Sequence, residues 1–503
     1  MASKAKPALK NKDHFVNVRV PNWPYEKWEL PESTESQVDF EKNSSPVHNI
    51  PASVGPVFHS FLESFSRQLD IYNNCTSTEL LTQVTTMLND SLCELGKSYK
   101  CFEKCQLIQA GSVAEKTKVE ALDEFDFLVV MEYFADKEYF EIVLRQGLIR
   151  IYVKDTSVIE FLPIECQNHS GSIEFLDVTL RSKFMELFIE IFDESLPSGW
   201  RRVTTKDTTL CGSGIASTLH LVCEKLNLNI DIDLCLCLPV SADDFEGALS
   251  IPEQVNPQFT EYVNAQLLLF GYINNIMKQS PLKVFVILGK ADFSFEAIST
   301  RITAPFLELS HFQSLPPEDG RIRAYRTAKC ILSAFLPELS DIFGCKRCCH
   351  KLVRSYHVKN ILFFMLNNYK DDIHWEGDKV PLRVLEIFSV LEQCMIDDDE
   401  SSYDAAVSKF CFPGTLYVQN VSNISQYYSS EGGHRYFFTP DSHKPMYELS
   451  SSPVYEQHLS TGNDTGDTLL NEWFEKLNNK PWNSKQLLHD LFNLLKKLNE
   501  IIH

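Results

Sequence analysis

Glu124 and Asp126 interrupt an aromatic and β-branched run, DEFDFLVV, at residues 123–130. Such a run reads as a β-strand. On a strand, residues two apart share a face, so both carboxylates point one way while Phe125 and Phe127 point into a core. Adjacent carboxylates repel unless something neutralises them. For oxygen ligands the fitting neutraliser is a hard divalent cation such as magnesium, which also bridges phosphates. Upstream, Gly111-Ser112 follows a half-apolar run (105–110) that reads as a short strand. A Gly-Ser turn leaving a strand can offer backbone N–H groups and a hydroxyl to a phosphate. Downstream, Asp231 and Asp233 share a face in the otherwise apolar run 229–240. An acid there is costly unless paired or bound to metal. Either could complete a three-carboxylate site.

These residues need rigid elements to hold them. Residues 55–73 and 77–95 have the spacing of amphipathic helices, the second with Thr76 or Ser77 as candidate N-cap. Residues 148–153, 158–164, 218–223, 229–240 and 282–288 read as strands, and 177–196 as a helix. Alternating strand and helix patterns favour an α/β core. Beyond it, 324–336, 358–368, 382–395 and 468–502 carry helical periodicity. Pro316-Pro317 and 397–402 read as loops, and residues 420–467, rich in Ser, Tyr, Asn and Gly, as irregular. The division is a disordered basic and polar tail (1–50), a core with long N-terminal helices (51–300) and a helical C-terminal lobe (301–503).

The 503 residues suffice for more than one substantial core, and 44% hydrophobic with 23% charged residues is an ordinary globular balance. Residues 1–12 hold four lysines and no apolar segment, so they are not a secretory signal, and no stretch reaches the length of a membrane span. The 15 cysteines then read as reduced thiols in a cytoplasmic protein without a membrane partner. The net charge of −21 repels a nucleic-acid backbone, so contact with one requires a local basic face. Residues 321–359 supply it: nine Lys and Arg against Glu338 and Asp341. Candidates are Arg321, Arg323, Arg326, Lys346, Arg347, Lys351 and Arg354. Within this run Cys345, Cys348, Cys349 and His350 offer zinc-type ligands without a partner pair at the usual spacing. Zinc and a reduced thiol cluster both remain readings of that segment.

The order Gly-Ser turn, then acid-hydrophobic-acid on a strand, resembles the nucleotidyltransferase superfamily. In detail it is similar to cyclic GMP-AMP synthase (cGAS) and the cGAS-like receptors of the male-abnormal (Mab) family. The likeness runs from about residue 57 to 420 and includes GIASTL (214–219), Ser355-Tyr356-His357-Val358-Lys359, and Trp375 followed by a leucine-rich helix with Leu391-Glu392-Gln393-Cys394. It implies a bilobal α/β (α+β) fold, a nucleotidyltransferase core with a twisted mixed sheet plus a C-terminal helical lobe. It implies two magnesium ions, or manganese, on Glu124, Asp126 and a third acid, for which Ile232-Asp233-Leu234 is the best match and Asp231 the alternative. Gly111 and Ser112 would then hold the donor triphosphate, Lys329 and Ser355 phosphates, and Tyr356 a base. Arg301 stands where the family has a base-reading arginine, with Thr300 replacing the family's tryptophan. The implied activity is synthesis of a cyclic dinucleotide from nucleoside triphosphates such as ATP and GTP, in innate immune and antiviral signalling. Residues 302–328 contain no cysteine and one histidine, so the family's DNA-gripping zinc thumb is missing, which favours double-stranded RNA as activator. A Mab-type adaptor without activity and a template-free RNA nucleotidyltransferase are the alternatives.

Overall fold

The structure, a computed structural model, describes residues 53–66, 75–119, 124–145, 148–164, 166–169, 172–203, 216–240, 284–288, 301–336, 355–393, 461–479 and 484–501. Within them the architecture is mixed α/β, with two sheets and a helical C-terminal region, in general terms a bilobal α/β fold.

The larger sheet is built around β9 (Leu228–Val240). One edge of β9 pairs in parallel with β2 (Glu124–Met131), which pairs antiparallel with β1 (Cys105–Ala110). Its other edge is shared, by β8 (Ser217–Cys223) over the first half and β10 (Val284–Ile287) over the second. β7 (Trp200–Arg202) extends β8, and β11 (Arg301–Thr303) extends β10. A smaller sheet has the order β3 (Phe140–Arg145), β4 (Leu148–Val153), β6 (Ser172–Leu176), β5 (Gln167–His169).

Alternation along β2 and β9 explains why one face of the larger sheet is core and the other holds chemistry. Phe125, Phe127, Val129 and Met131 are buried in the main core, as are Ile230, Ile232, Leu234 and Leu236. This is the period-2 pattern of a strand with distinct faces. On the opposite face Leu128, Val130 and Cys237 form a second, smaller core with Phe285 and Leu309, the last from helix Pro305–Ser314. That helix covers one end of the face. The other end carries Glu124, Asp126, Asp231 and Asp233.

Helices α1 (Pro56–Ser66), α2 (Cys75–Ser98) and α3 (Asp177–Ser195) precede the covering helix, α4, and α5 (Gly320–Phe335), α6 (Ser355–Asn368), α7 (Val380–Gln393), α8 (Asp464–Asn479) and α9 (Ser484–Glu500) follow it. α2 and α3 pack together, and Phe184 of α3 meets Phe102, in the 3₁₀ turn that follows α2, edge-on at 5.3 Å. α1 packs instead against the C-terminal helices: Phe61 meets Phe335 at 5.9 Å, and the Gly55 N–H donates to Asn499 Oδ1 at 2.9 Å.

Two sequence expectations are corrected. Residues 158–164 are not a strand: Thr156–Phe161 forms a 3₁₀ helix, capped where Asp155 Oδ1 accepts from the Ser157 N–H at 2.9 Å. This local side-chain bond favours a turn over a ladder. The helical periodicity at 468–502 falls on two described helices, α8 and α9, and 480–483 lie outside the described residues. No described helix is long and apolar enough to cross a membrane. The expected tail and residues 420–460 of the segment expected to be irregular lie outside the described residues, while its end is corrected: 464–467 form the first turn of α8.

Candidate active site

Strand register brings the acids together. In the parallel ladder Glu124 is opposite Asp231 and Asp126 opposite Asp233. Glu124, Asp126 and Asp233 each offer a carboxylate oxygen within 4.8 Å of the others. Among the described residues this is the one such group of potential metal ligands. Asp231, the alternative third acid, turns to β8, where its Oδ1 lies 2.7 Å from His220 Nδ1. Of the two acids the sequence offers, Asp233 is thus the one grouped with Glu124 and Asp126, and Asp231 is paired across the strand.

The cluster's electrostatics fit a cation. Withdrawal from water and then the neighbouring Glu124 and Asp233 push the Asp126 carboxyl up to about 7. Burial also raises Asp233, against a Thr218 Oγ1 hydrogen bond of 2.5 Å that favours its anion. Beside the triad, Lys118 Nζ donates to Glu124 Oε2 at 3.0 Å. Three carboxylates gathered this closely, with like charges raising the Asp126 carboxyl, form an acidic site that a divalent ion would neutralise. All the donors are oxygens, which suits magnesium or manganese rather than a thiolate-seeking metal.

The Gly-Ser turn lies directly beside them. Ala110 ends β1 opposite Asp126, and Gly111–Ala114 forms one helical turn. Gly111 has φ +68°, and a Cβ on it would sit 1.9 Å from Asp126 Oδ2. Only glycine allows both the backbone conformation and this approach.

Helices of the C-terminal region reach into the segment after that turn. Lys329, on α5, donates from Nζ to the Thr117 carbonyl at 2.9 Å, and its ammonium lies 5.1 Å from the Tyr325 ring centroid. It is buried, and burial lowers it to about 8. Lys359, on α6, donates to Glu115 Oε1 at 2.7 Å and to Glu308 Oε2 on α4. Burial disfavours its charge, but the two carboxylates outweigh this and hold the ammonium well above its usual range. Ser355, exposed at the start of α6, accepts at its carbonyl from the Tyr325 hydroxyl at 3.4 Å. Tyr356 begins the same helix, and Arg301 lies on β11 opposite Ile287.

The basic run divides. Arg326, expected on an outer face, is buried, as are Lys329 and Lys359. The reason is that α5 packs on several sides, so a three-residue spacing of cations reaches its inner surface. Arg321 is engaged by Asp319 and Asp372, and Arg323 is half-buried. Lys346, Arg347, Lys351, Arg354 and the cluster Cys345 to His350 lie outside the described residues. Cys93, Cys101, Cys105, Cys166, Cys223 and Cys237 are free thiols.

Sequence reasoning missed the polar partners: Thr218 and His220 on β8, Lys118, and the Glu115–Lys359–Glu308 group. A signal existed for the first two, since T-x-H on one strand of a hairpin faces D-x-D on the other.

Residues 329–403 match the family model described as Mab-21 protein HhH/H2TH-like domain. The chain thus carries a C-terminal domain of that kind, which links it to the Mab-21 and cGAS-like nucleotidyltransferase superfamily. No curated protein matches the chain.

Proposed function

We propose that this chain is a nucleotidyltransferase making a cyclic dinucleotide from two nucleoside triphosphates, and that double-stranded nucleic acid, RNA rather than DNA, activates it. The observation that carries the transferase reading is the convergence of Glu124, Asp126 and Asp233 beside the Gly111 turn. The cyclic product and the polymer rest on the superfamily link of residues 329–403 and on the resemblance at Ser355 to Lys359.

Glu124, Asp126 and Asp233 would hold magnesium, with manganese as a substitute. When bound, the metal supplies charge neutralisation at the phosphates and a more acidic attacking hydroxyl. The chain's own residues do the rest. The Gly111-Ser112 turn positions the donor triphosphate against the carboxylates. Thr218 and Lys118 fix the rotamers of Asp233 and Glu124, so the oxygens are placed before substrate arrives. Lys329, seated on Thr117, supports the segment that follows the turn. A ribose hydroxyl attacks the donor α-phosphorus, its proton passes to solvent or a carboxylate, and pyrophosphate leaves with the bonding electrons.

The test is incubation of the full chain with the four labelled ribonucleotides and magnesium, with no polymer, long double-stranded RNA or double-stranded DNA. A phosphatase-resistant product that appears with RNA supports the proposal. Extension of labelled RNA ends without cyclic product would instead identify a template-free polymerase. Absence of both product and magnesium-dependent nucleotide binding would leave the catalytically silent adaptor.

A further inference from the structure

The acid-bearing face of the sheet has a second polar pair outside the Glu124, Asp126 and Asp233 cluster. Across three strands the residues form two rows. One runs Asp126 on β2, Asp233 on β9, Thr218 on β8; the other runs Glu124, Asp231, His220 on the same three strands. In-register neighbours project to the same side of a sheet, with strands about 4.8 Å apart. The Gly111 turn touches Asp126 from the β1 side. Asp231 and His220 lie on the opposite flank, away from the turn.

The pair is built and open. Asp231 Oδ1 is 2.7 Å from His220 Nδ1, and the side chains keep 50% and 38% of their exposure. A carboxylate accepts, so Nδ1 carries the hydrogen and Nε2 is left for another group. Buried core histidines, by contrast, are enclosed: His311 is flanked by Phe312 and Phe363. A half-exposed Asp–His pair in register with metal-binding carboxylates is placed for a ligand.

The chemistry of the pair narrows that ligand. Nε2 accepts when the ring is neutral and donates when it is charged. A hydroxyl does both, so it satisfies Nε2 in either state, whereas a phosphate or carbonyl oxygen satisfies only the charged one. Asp231 keeps a second oxygen that accepts from a neighbouring hydroxyl. Two adjacent hydroxyls on one ring, a ribose cis-diol, match both groups. Resting on the transferase reading, a further constraint follows. The donor triphosphate occupies the Gly111 side, so the sugar whose hydroxyl reaches the carboxylates comes from the β8 side and lies over Asp231 and His220.

We propose that His220, oriented by Asp231, binds the ribose hydroxyls of the acceptor nucleotide and makes the site select ribonucleotides over deoxyribonucleotides. No bond is made or broken at the pair; it is a binding and specificity site.

The test is equilibrium binding of ATP and GTP, each as ribo-, 2′-deoxy- and 3′-deoxy-triphosphate, to the full chain in magnesium. Wild type, His220→Ala, His220→Gln and Asp231→Ala are compared. Wild type is expected to bind the ribo form of at least one nucleotide about tenfold or more tighter than a deoxy form. His220→Ala and Asp231→Ala bring the two to equal affinity, and His220→Gln, which keeps a hydrogen-bonding group, restores part of the difference. Thermal unfolding of the variants is expected near that of wild type because both side chains are half-exposed. Discrimination retained in His220→Ala, or absent from wild type, overturns the inference while leaving the transferase reading intact. Failure of wild type to bind any triphosphate overturns both.

Discussion

Asp126 is the residue where site and stability meet. Its carboxyl is pushed up to about 7 by loss of water and by Glu124 and Asp233. The folded, metal-free protein therefore holds a proton that the unfolded chain releases near pH 4. Stability that is full at low pH is lost as pH rises through about 7, with up to about 4 kcal/mol at stake. Asp126→Asn removes this penalty. In EDTA, thermal unfolding of wild type is expected to fall between pH 5 and 8 while the variant stays level, and magnesium is expected to restore wild type at pH 8. The same variant is expected to lose at least about 100-fold in nucleotidyl transfer, since its amide cannot supply the lost anionic ligand. Transfer at wild-type rate would refute the assignment of the ligand set.

At the scale of elements, the turn after β1 is held from two sides. Gly111 packs on Asp126, and the following residues are gripped from the helical region by Lys329 on Thr117 and Lys359 on Glu115. Gly111→Ala is expected to destabilise by about 1–3 kcal/mol, from φ strain and displacement of the Asp126 carboxylate. Its transfer activity should fall far more than its Tm, because a small shift of one ligand disrupts the whole set. Lys359→Met leaves Glu115 and Glu308 buried without their shared cation and is expected to cost about 3–5 kcal/mol in urea unfolding. Pairing it with Glu115→Gln and Glu308→Gln should recover much of that loss. A Lys359→Met variant as stable as wild type would show that the ion group contributes nothing.

At the scale of the whole molecule, a net charge of −21 and a basic run in 321–359 pull in opposite directions. With Arg326, Lys329 and Lys359 buried, the cations left for an anionic polymer are fewer than the sequence count. Polymer activation should then depend on Lys346, Arg347, Lys351 and Arg354. Reversing these four to Glu is expected to weaken binding of long double-stranded RNA at least tenfold at 0.15 M salt and to flatten the salt dependence by roughly one logarithmic slope unit per lost phosphate contact. Magnesium-dependent nucleotide binding should be unchanged. An undiminished RNA affinity would place the polymer surface elsewhere.

What was legible in the sequence was local. Period-2 alternation in 124–131 and 229–240 is written residue by residue, so both acid-bearing strands and their facing sides could be read directly. The Gly-Ser turn followed from residue types alone. Short pieces such as β5, β7 and β11, each three residues long, carry too little pattern to be found. Only the tertiary structure decided the rest, because it depends on which strands become neighbours. Asp233 rather than Asp231 joins Glu124 and Asp126 because parallel register and the partners Thr218 and His220 divide two otherwise equivalent acids. Lysines that look alike in a chain become buried tethers on α5 and α6 because those helices pack against the segment 115–117, a contact spanning more than 200 residues. Pattern within a segment is a property of the chain; pairing between distant segments is a property of the fold.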